Sequence, residues 1–404
     1  LRVLCVQKDN ADVLIQMLKG AMAQLKLGNP QLLNTDVGPV IDAEAQQNIQ
    51  NHIEMMRSKG YPVHQFSFNH AKKTENANHP ERLRQGTFIA PTLIELPNLN
   101  DLKREVFGPV SHVITYKYGE LNQLLEQINA KGYGLTMGLH TRIDETIQTV
   151  IQKAHVGNLY INRNIVGAVV GVQPFGGEGL SGTGPKAGGP LYLYKLMQPN
   201  TLSFKQPFGT LNQMTEVNQT ANYTSEPQDT AYSAFRTWAK QHFPHVDLVE
   251  VYSPVGIYEL PGPTGESNQY TVLPRERVLS IAQSETQYLA QMNTIFAVGA
   301  QLSVLADNTF VLQHLPKMPE ILRQNIHSIS NIETGQFDAV FHHGTHTELT
   351  QLQDQIAKRE GAIIAINHFN DDQAQLCIEP LIIERALSIN TAAGGNASLM
   401  TLES

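Results

Sequence analysis

Residues 158–194, NLYINRNIVGAVVGVQPFGGEGLSGTGPKAGGPLYLY, decide how this chain is read. NLYI is a short apolar run of strand character, and from Gly167 to Gly189 the stretch becomes rich in glycine. Glycine costs ordering entropy and brings no side-chain contacts, so this density marks backbone that bends sharply or approaches another group closely. The spacing Gly177-x-Gly179-x-x-Gly182 is formally a dinucleotide fingerprint. A working fingerprint follows a strand, opens a helix and has an acidic residue about 20 positions further on. Here Pro174-Phe175 precede it, Pro185 and Gly188-Gly189 follow, and no suitable acid lies downstream. The spacing is therefore read as coincidental, and the plainest alternative is a tight turn with Phe175 in the core.

Working outward, the remaining chain alternates strand and helix patterns. LRVLCVQ reads as a buried strand, and Leu14, Leu18, Met22 and Leu25 share one helical face. A second helix carries Ile49, Ile53 and Met56. TFIAPTLIEL and PVSHVITYKY read as strands. Two further helices place Leu121, Leu124, Leu125 and Ile128, then Ile147, Val150, Ile151 and Ala154, on apolar faces. Such alternation implies an α/β layer with a mostly parallel sheet. Residues 206–229 are polar without a clear period and read as a linker. Beyond them the α/β style resumes: a helix with Phe235 and Trp238 capped by Asp229, strands at LVEVYS and GIYEL, and the loop LPGPTGESN. A helix over Glu285–Val298, strands QLSVLA and FDAVFHH, a helix with Leu349, Leu352 and Ile356, and the strand GAIIAINHF complete it. The end, IERALSINTAAGGNASLMTLES, reads as an extended arm, too rich in small residues to be core.

At 404 residues, two or three domains are expected. A hydrophobic content of 41% with 16% charged residues fits a folded protein, and a net charge of −8 argues against nucleic acid as the main partner. Two cysteines, Cys5 and Cys377, make no disulfide framework and fit a reducing, cytoplasmic setting. No apolar run reaches the roughly 18 residues of a transmembrane segment. Leu1 stands first, without an initiator methionine and inside strand-like sequence, so a fragment of something longer is expected. His342, His343 and His346 are the one histidine cluster worth testing as metal ligands, but Gly344 interrupts any helix that would align them, and no metal is expected.

REVFGP, Arg104–Pro109, joins a helix-forming segment to a strand, and alone it also reads as a helix exit with Phe107 in the core. Paired with PFGG about seventy residues later, it resembles the motifs of aldehyde dehydrogenases. The match is narrower still. The stretch 158–194, with ELPGPTGESN, VLPRERVL and NTAAGGNASLMT, is similar to the C-terminal part of the bifunctional proline utilization A enzymes. These join a proline dehydrogenase to a Δ1-pyrroline-5-carboxylate (glutamate γ-semialdehyde) dehydrogenase.

The resemblance implies an α/β fold. Residues 1–157 would be the rear part of an aldehyde dehydrogenase catalytic domain, and 158–205 a substrate-anchor loop and oligomerisation hairpin. After the linker, 230–385 would be a Rossmann-like, degenerate aldehyde dehydrogenase domain and 386–404 an extended tail. It implies oxidation of L-glutamate γ-semialdehyde to L-glutamate with NAD⁺ in the parent enzyme. Glu105 would accept hydrogen bonds from the nicotinamide ribose hydroxyls, a task suited to an acceptor-only carboxylate, with Phe107 near the nicotinamide. Gly167 and Ala168 would hold the substrate carboxylate through backbone N–H groups, and Phe175 would pack on its aliphatic part. Ala168 stands where the stand-alone relatives carry serine. The family pattern Arg-Cys-Ser-Ala-Leu-Arg-Val-Leu-Cys places the nucleophilic cysteine upstream of Leu1 and makes Cys5 a strand-buried thiol. The activating glutamate and the NAD domain also fall upstream, so no catalytic residue is expected here and the chain alone is expected to be inactive. FAD would belong only to the upstream proline dehydrogenase domain. The implied partners are the small-molecule substrate, the upstream domains of the same polypeptide, and a second copy in a homo-oligomer. Two alternatives remain: a non-catalytic module for assembly and tunnel closure, or a dehydrogenase of another aldehyde.

Overall fold

A computed structural model of the chain describes residues 1–66, 86–196, 230–370 and 376–392. The expected linker at 206–229, the Asp229 cap and residues 393–404 of the expected tail lie outside the described residues. The chain forms two compact units, Leu1–Lys131 and Gly132–Ser404. Among the described residues no helix is long and apolar enough to cross a membrane.

In the first unit, β1 (Val3–Gln7), β2 (Val63–Gln65), β3 (Thr92–Leu96) and β4 (Val110–Tyr116) form one sheet in the order β1-β4-β3-β2. The β1–β4 and β4–β3 pairs are parallel, and β2 joins β3 antiparallel. Side chains alternate across the pleat, so β1, β3 and β4 each serve two helices. Val6, Leu93 and Val113 face α1 (Lys8–Met22) through Ala11 and Ile15. Ile94 and Ile114 face α2 (Ala43–Ser58), whose Ile49, Ile53 and Met56 stand at the helical spacing read from the sequence. Each such side chain contributes about 1.5–3 kcal/mol when fully buried. Asp42 caps α2 by accepting the Ala45 amide, and α3 (Leu121–Asn129) buries Leu124 and Leu125.

The second unit contains two five-stranded sheets. Strands β5 (Tyr133–Gly134) and β6 (Thr136–Leu139) precede α4 (Asp144–Lys153), and β7 (Asn158–Ile161) and β8 (Glu178–Gly179) follow it. After α5 (Ala231–His242), capped by Thr230, come β9 (Gly256–Leu260), β10 (Glu266–Pro274) and β11 (Arg277–Ile281). Helix α6 (Glu285–Ala297) leads to β12 (Gln301–Leu305), α7 (Thr309–His314), α8 (Glu320–Gln324) and β13 (Ile326–Ile329). The chain ends with β14 (Ala339–His343), α9 (His346–Ile356), β15 (Ala365–Phe369) and β16 (Ile382–Asn390). One sheet is wholly parallel, in the doubly wound order β13-β12-β11-β14-β15. Leu289, Met292 and Phe296 of α6 cover one side of it with Phe235 and Trp238 of α5, and Leu352 of α9 covers the other.

The other sheet has the order β6-β7-β16-β10-β9. Its centre corrects the reading of residues 386–390 as part of an extended arm. Ile382–Asn390 is a buried strand, parallel to β7 and antiparallel to β10. Its inward positions include Glu384, Ala386 and Ser388, whose small or polar side chains hide a core strand from a hydrophobicity count. LVEVYS, residues 248–253, is not a strand. Side chains take the backbone groups a neighbouring strand would have used: Asn293 Nδ2 donates to Val249 O at 2.8 Å, and Val251 N donates to the Tyr232 hydroxyl at 3.2 Å.

Candidate active site

The expected site residues fall in both units, Glu105 and Phe107 in the first and Gly167, Ala168 and Phe175 in the second. In the first unit, Leu102 and Val106 pin the segment before β4 by burying into the α2-side core. Glu105 and Phe107 between and beyond these anchors point outward. Phe107 is 78% exposed, so the helix-exit alternative with this ring in the core does not hold. Gly108 follows because a Cβ there would stand 2.5 Å from Ile49 Cδ1.

Arg2, at the start of β1, gathers this turn. Its Nε donates to Glu105 Oε1 at 3.1 Å, its Nη1 donates to Gly108 O at 3.3 Å, and its guanidinium lies 4.2 Å from the Phe107 ring centroid. The Arg2 carbonyl is held in turn by the backbone N–H of His112 at 3.0 Å and by His112 Nδ1 at 3.1 Å. A carbonyl only accepts, so His112 carries its proton on Nδ1 and its Nε2 accepts from His52 Nε2, 2.8 Å away. Burial, with the neighbouring His112, pushes His52 down to about 4, and burial also lowers His112. A cavity of about 230 Å³ lies beside the turn, lined by His52, Arg104, Glu105 and Phe107 among others. Glu105 has a side chain 45% exposed, with one oxygen on Arg2 and the other without a partner among the described residues.

In the second unit, the glycine-rich stretch is a loop leaving β7, and its fingerprint spacing builds a turn closed on itself. A Cβ at Gly177 would meet Ser181 O at 2.5 Å, and one at Gly182 would meet Gly177 O at 2.6 Å. Among the described residues no α-helix opens directly after it. Gly167 sits at φ +81°, in the left-handed region, with open space where a Cβ would be. The amides of Gly167 and Ala168 donate to no partner among the described residues. Phe175 is 37% exposed and exchanges two backbone hydrogen bonds with Ala187, at 3.0 and 2.8 Å.

Two residues the sequence reading passed over set this turn. Asn158, fully buried at the start of β7, donates to Pro174 O at 2.8 Å and accepts from Gly176 N at 3.1 Å, so it brackets Phe175 on both sides. Lys186, 2% exposed, donates from Nζ to Asn158 Oδ1 at 3.1 Å and to Gly176 O. Burial pushes this ammonium down to about 8 against the pull of Glu384 and Glu178. The Lys186 amide donates to Glu384 Oε2 at 2.8 Å, and the Tyr270 hydroxyl donates to Oε1 at 2.7 Å. The available signal was a polar residue opening an apolar strand and a lysine inside a glycine-proline run.

Neither thiol is activated. Burial pushes Cys5 up to about 11, and Cys377 likewise up to about 11, so both are protonated near neutrality. His342 Nδ1 lies 2.9 Å from His368 Nδ1 and His343 packs on Phe369, and no cluster suited to a metal occurs among the described residues.

The aldehyde dehydrogenase family model matches residues 1–202. The chain is 49% identical over 414 residues to the bifunctional protein PutA of Escherichia coli strain K12, covering all of this chain and 30% of that protein. It is 39% identical over 417 residues to the bifunctional protein PutA of Rhizobium meliloti, covering all of this chain and 32% of that protein. A 1-pyrroline-5-carboxylate dehydrogenase of a Geobacillus strain is 36% identical over 200 residues, 49% of this chain and 36% of that protein. The solved structure of proline utilization A from Corynebacterium freiburgense has a TM-score of 0.57 over 98% of this chain and 35% of its own, at 20% identity, which shows the fold. The chain thus spans about a third of the length of these relatives. With half of its length matched by the family model, the chain belongs to the aldehyde dehydrogenase family.

Proposed function

We propose that this chain supplies the nicotinamide-facing and carboxylate-anchoring parts of a dehydrogenase that oxidises L-glutamate γ-semialdehyde to L-glutamate in proline catabolism. The observation that carries the reading is the exposed left-handed turn at Gly167-Ala168, whose amides are without partners among the described residues, on the loop that ends at Phe175. Two N–H groups on an open turn suit a carboxylate, and a half-exposed phenyl ring suits a short aliphatic chain. The names of the relatives supply the substrate class.

In this reading Glu105 and Phe107 would hold NAD⁺, which would supply the hydride acceptor for oxidation of the aldehyde. Glu105 holds the ribose hydroxyls through its free oxygen, while Arg2 keeps the other oxygen and the Phe107 ring in place. Gly167 and Ala168 bind the α-carboxylate, and Phe175, bracketed by Asn158, excludes water from the methylene chain. The nucleophilic thiolate and the water-activating carboxylate are assigned, on the family pattern, to residues outside this chain; burial raises the pKa of both Cys5 and Cys377, which suits neither to the nucleophile's role. Flavin chemistry is assigned to a separate proline dehydrogenase part, and assembly into homo-oligomers to the hairpin that includes the loop. The test is steady-state kinetics of the full-length gene product. Glu105→Gln should raise KM for NAD⁺ about tenfold, the worth of one charge-assisted hydrogen bond. Phe175→Ala should raise KM for the semialdehyde without changing that for NAD⁺. Unchanged kinetics in both variants would refute the site.

A further inference from the structure

The two ends of the Gly167-Ala168 loop meet on one carboxylate from a distant part of the chain. Glu266 opens β10. Its Oε2 accepts from Arg163 Nη1 at 2.7 Å, and its Oε1 accepts from Gln173 Nε2 at 2.6 Å and from Asn268 Nδ2 at 3.0 Å. Arg163 stands just before the loop and Gln173 closes it. Gln173, 3% exposed, also reaches back into the loop, where its Oε1 accepts from the Val169 amide at 3.1 Å. Ser388 of β16 completes the cluster by accepting from Arg163 Nη1 at 2.7 Å. The Arg163 and Glu266 side chains are only 14% and 17% exposed, and the guanidinium lies 5.2 Å from the Tyr160 ring.

A loop with glycines in the left-handed region at 167 and 171 has little stiffness of its own, so its shape is set by what holds its ends. Here both ends are held by a group that only accepts. Among the described residues every hydrogen-bonding neighbour of the Glu266 carboxylate is a donor: a guanidinium, a glutamine amide and an asparagine amide. An uncharged amide at 266 would turn its own N–H₂ toward one of them and release that end.

We propose that Glu266 is a positioning residue for substrate specificity: from β10 it holds the Gly167-Ala168 turn in the shape that accepts the carboxylate of the aldehyde substrate. The inference rests on the reading of that turn as the carboxylate anchor. It gives β10 and β16 a task in selecting substrate as well as in packing. Glutamate semialdehyde carries its carboxylate at the opposite end from the reacting carbonyl, so loosening the turn weakens recognition of the carboxylate and leaves aldehydes without one unaffected.

The test compares Glu266→Gln, Glu266→Asp and Phe175→Ala in the full-length gene product, with L-glutamate γ-semialdehyde and with propanal as substrates. Glu266→Gln is expected to raise KM for the semialdehyde five- to twentyfold, with KM for NAD⁺ and kcat/KM for propanal within twofold of the wild type. Glu266→Asp, which keeps the charge, should recover part of the loss. If Phe175→Ala changes semialdehyde kinetics and Glu266→Gln does not, the positioning role is overturned while the site reading stands. If neither variant has an effect, the site reading fails and the inference with it. Equal losses with semialdehyde, propanal and NAD⁺ would show a role in folding alone and overturn the proposal. A lowered KM for the semialdehyde would overturn it too, because a freed Arg163 would then be the better anchor.

Discussion

Replacing Lys186 with methionine should invert the stability order of the two proteins between neutral and alkaline pH. The folded chain holds the Lys186 ammonium with a pKa of about 8, against 10.5 for the ordinary group. Between these values the unfolded chain binds more protons than the folded one, so stability rises with pH across the window. Below pH 8 the charge is buried at a cost of about 3 kcal/mol, the 2.5-unit difference at 1.36 kcal/mol per unit. Against this stand the hydrogen bonds from Nζ to Asn158 Oδ1 and Gly176 O, together about 2 kcal/mol. Methionine fills the stem volume, lacks the charge and loses both bonds. Lys186→Met should therefore be more stable by about 1 kcal/mol at pH 7 and less stable by about 2 kcal/mol at pH 10.5. Trp238, the single tryptophan of the chain, lies buried in the same unit and reports its unfolding in urea by fluorescence. Cys5, Cys377 and several tyrosines have raised pKa values and weaken both proteins in alkali, a contribution that cancels in the difference. A difference that stays constant from pH 7 to 10.5, or moves the other way, would refute the reasoning.

Arg2→Ala in the full-length gene product should raise KM for NAD⁺ about threefold to tenfold, as Glu105 and Phe107 lose their shared support. Arg2→Lys should restore the charge but not the planar contact, leaving KM between the two. Gly157→Ala would put a Cβ 2.0 Å from Gly176 O and 2.9 Å from Lys186 Nζ. Backbone must shift to accept it, at about 3 kcal/mol, and faster proteolysis of the 174–187 turn is the readout. Acid should loosen the first unit through His52. The unfolded chain takes up this proton near 6.5 and the folded one only near 4, so stability falls with pH across that interval, by at most about 3 kcal/mol. Hydrogen exchange of α2 amides at pH 7 and pH 5 measures it, and equal protection at both would contradict the assignment.

The parts of the fold that were legible in the sequence are those where one apolar face meets one sheet. Ile49, Ile53 and Met56 repeat at helical spacing and lie on the sheet as that spacing implies. Leu93 and Ile94, adjacent in sequence, go to opposite faces as a strand requires. At the REVFGP turn Val106 is buried and Phe107 is not, an order that hydrophobicity alone would not choose.

The rest was hidden because its partners are far apart in the chain and the sheet that joins them is lined with polar groups. Arg163 and Glu266 are separated by 103 positions, Lys186 and Glu384 by 198, and Glu178 and Arg385 by 207. Read singly, each of these looks like a surface residue, and IERALSIN runs into a stretch so rich in small residues that the whole reads as outside the core. Paired, they explain one another. β16 can run through the middle of a sheet because Glu384 receives Tyr270 and the Lys186 amide, Ser388 receives Arg163, and Arg385 is held in two bonds by Glu178. Buried polar groups persist only when satisfied, so removing one partner costs more than its own bond. The same bonds run to both ends of the glycine-rich stretch: Arg163 and Gln173 on one side of Phe175, Glu178 and Lys186 on the other. The loop can be soft in sequence and fixed in place because its rigidity is supplied by β10 and β16.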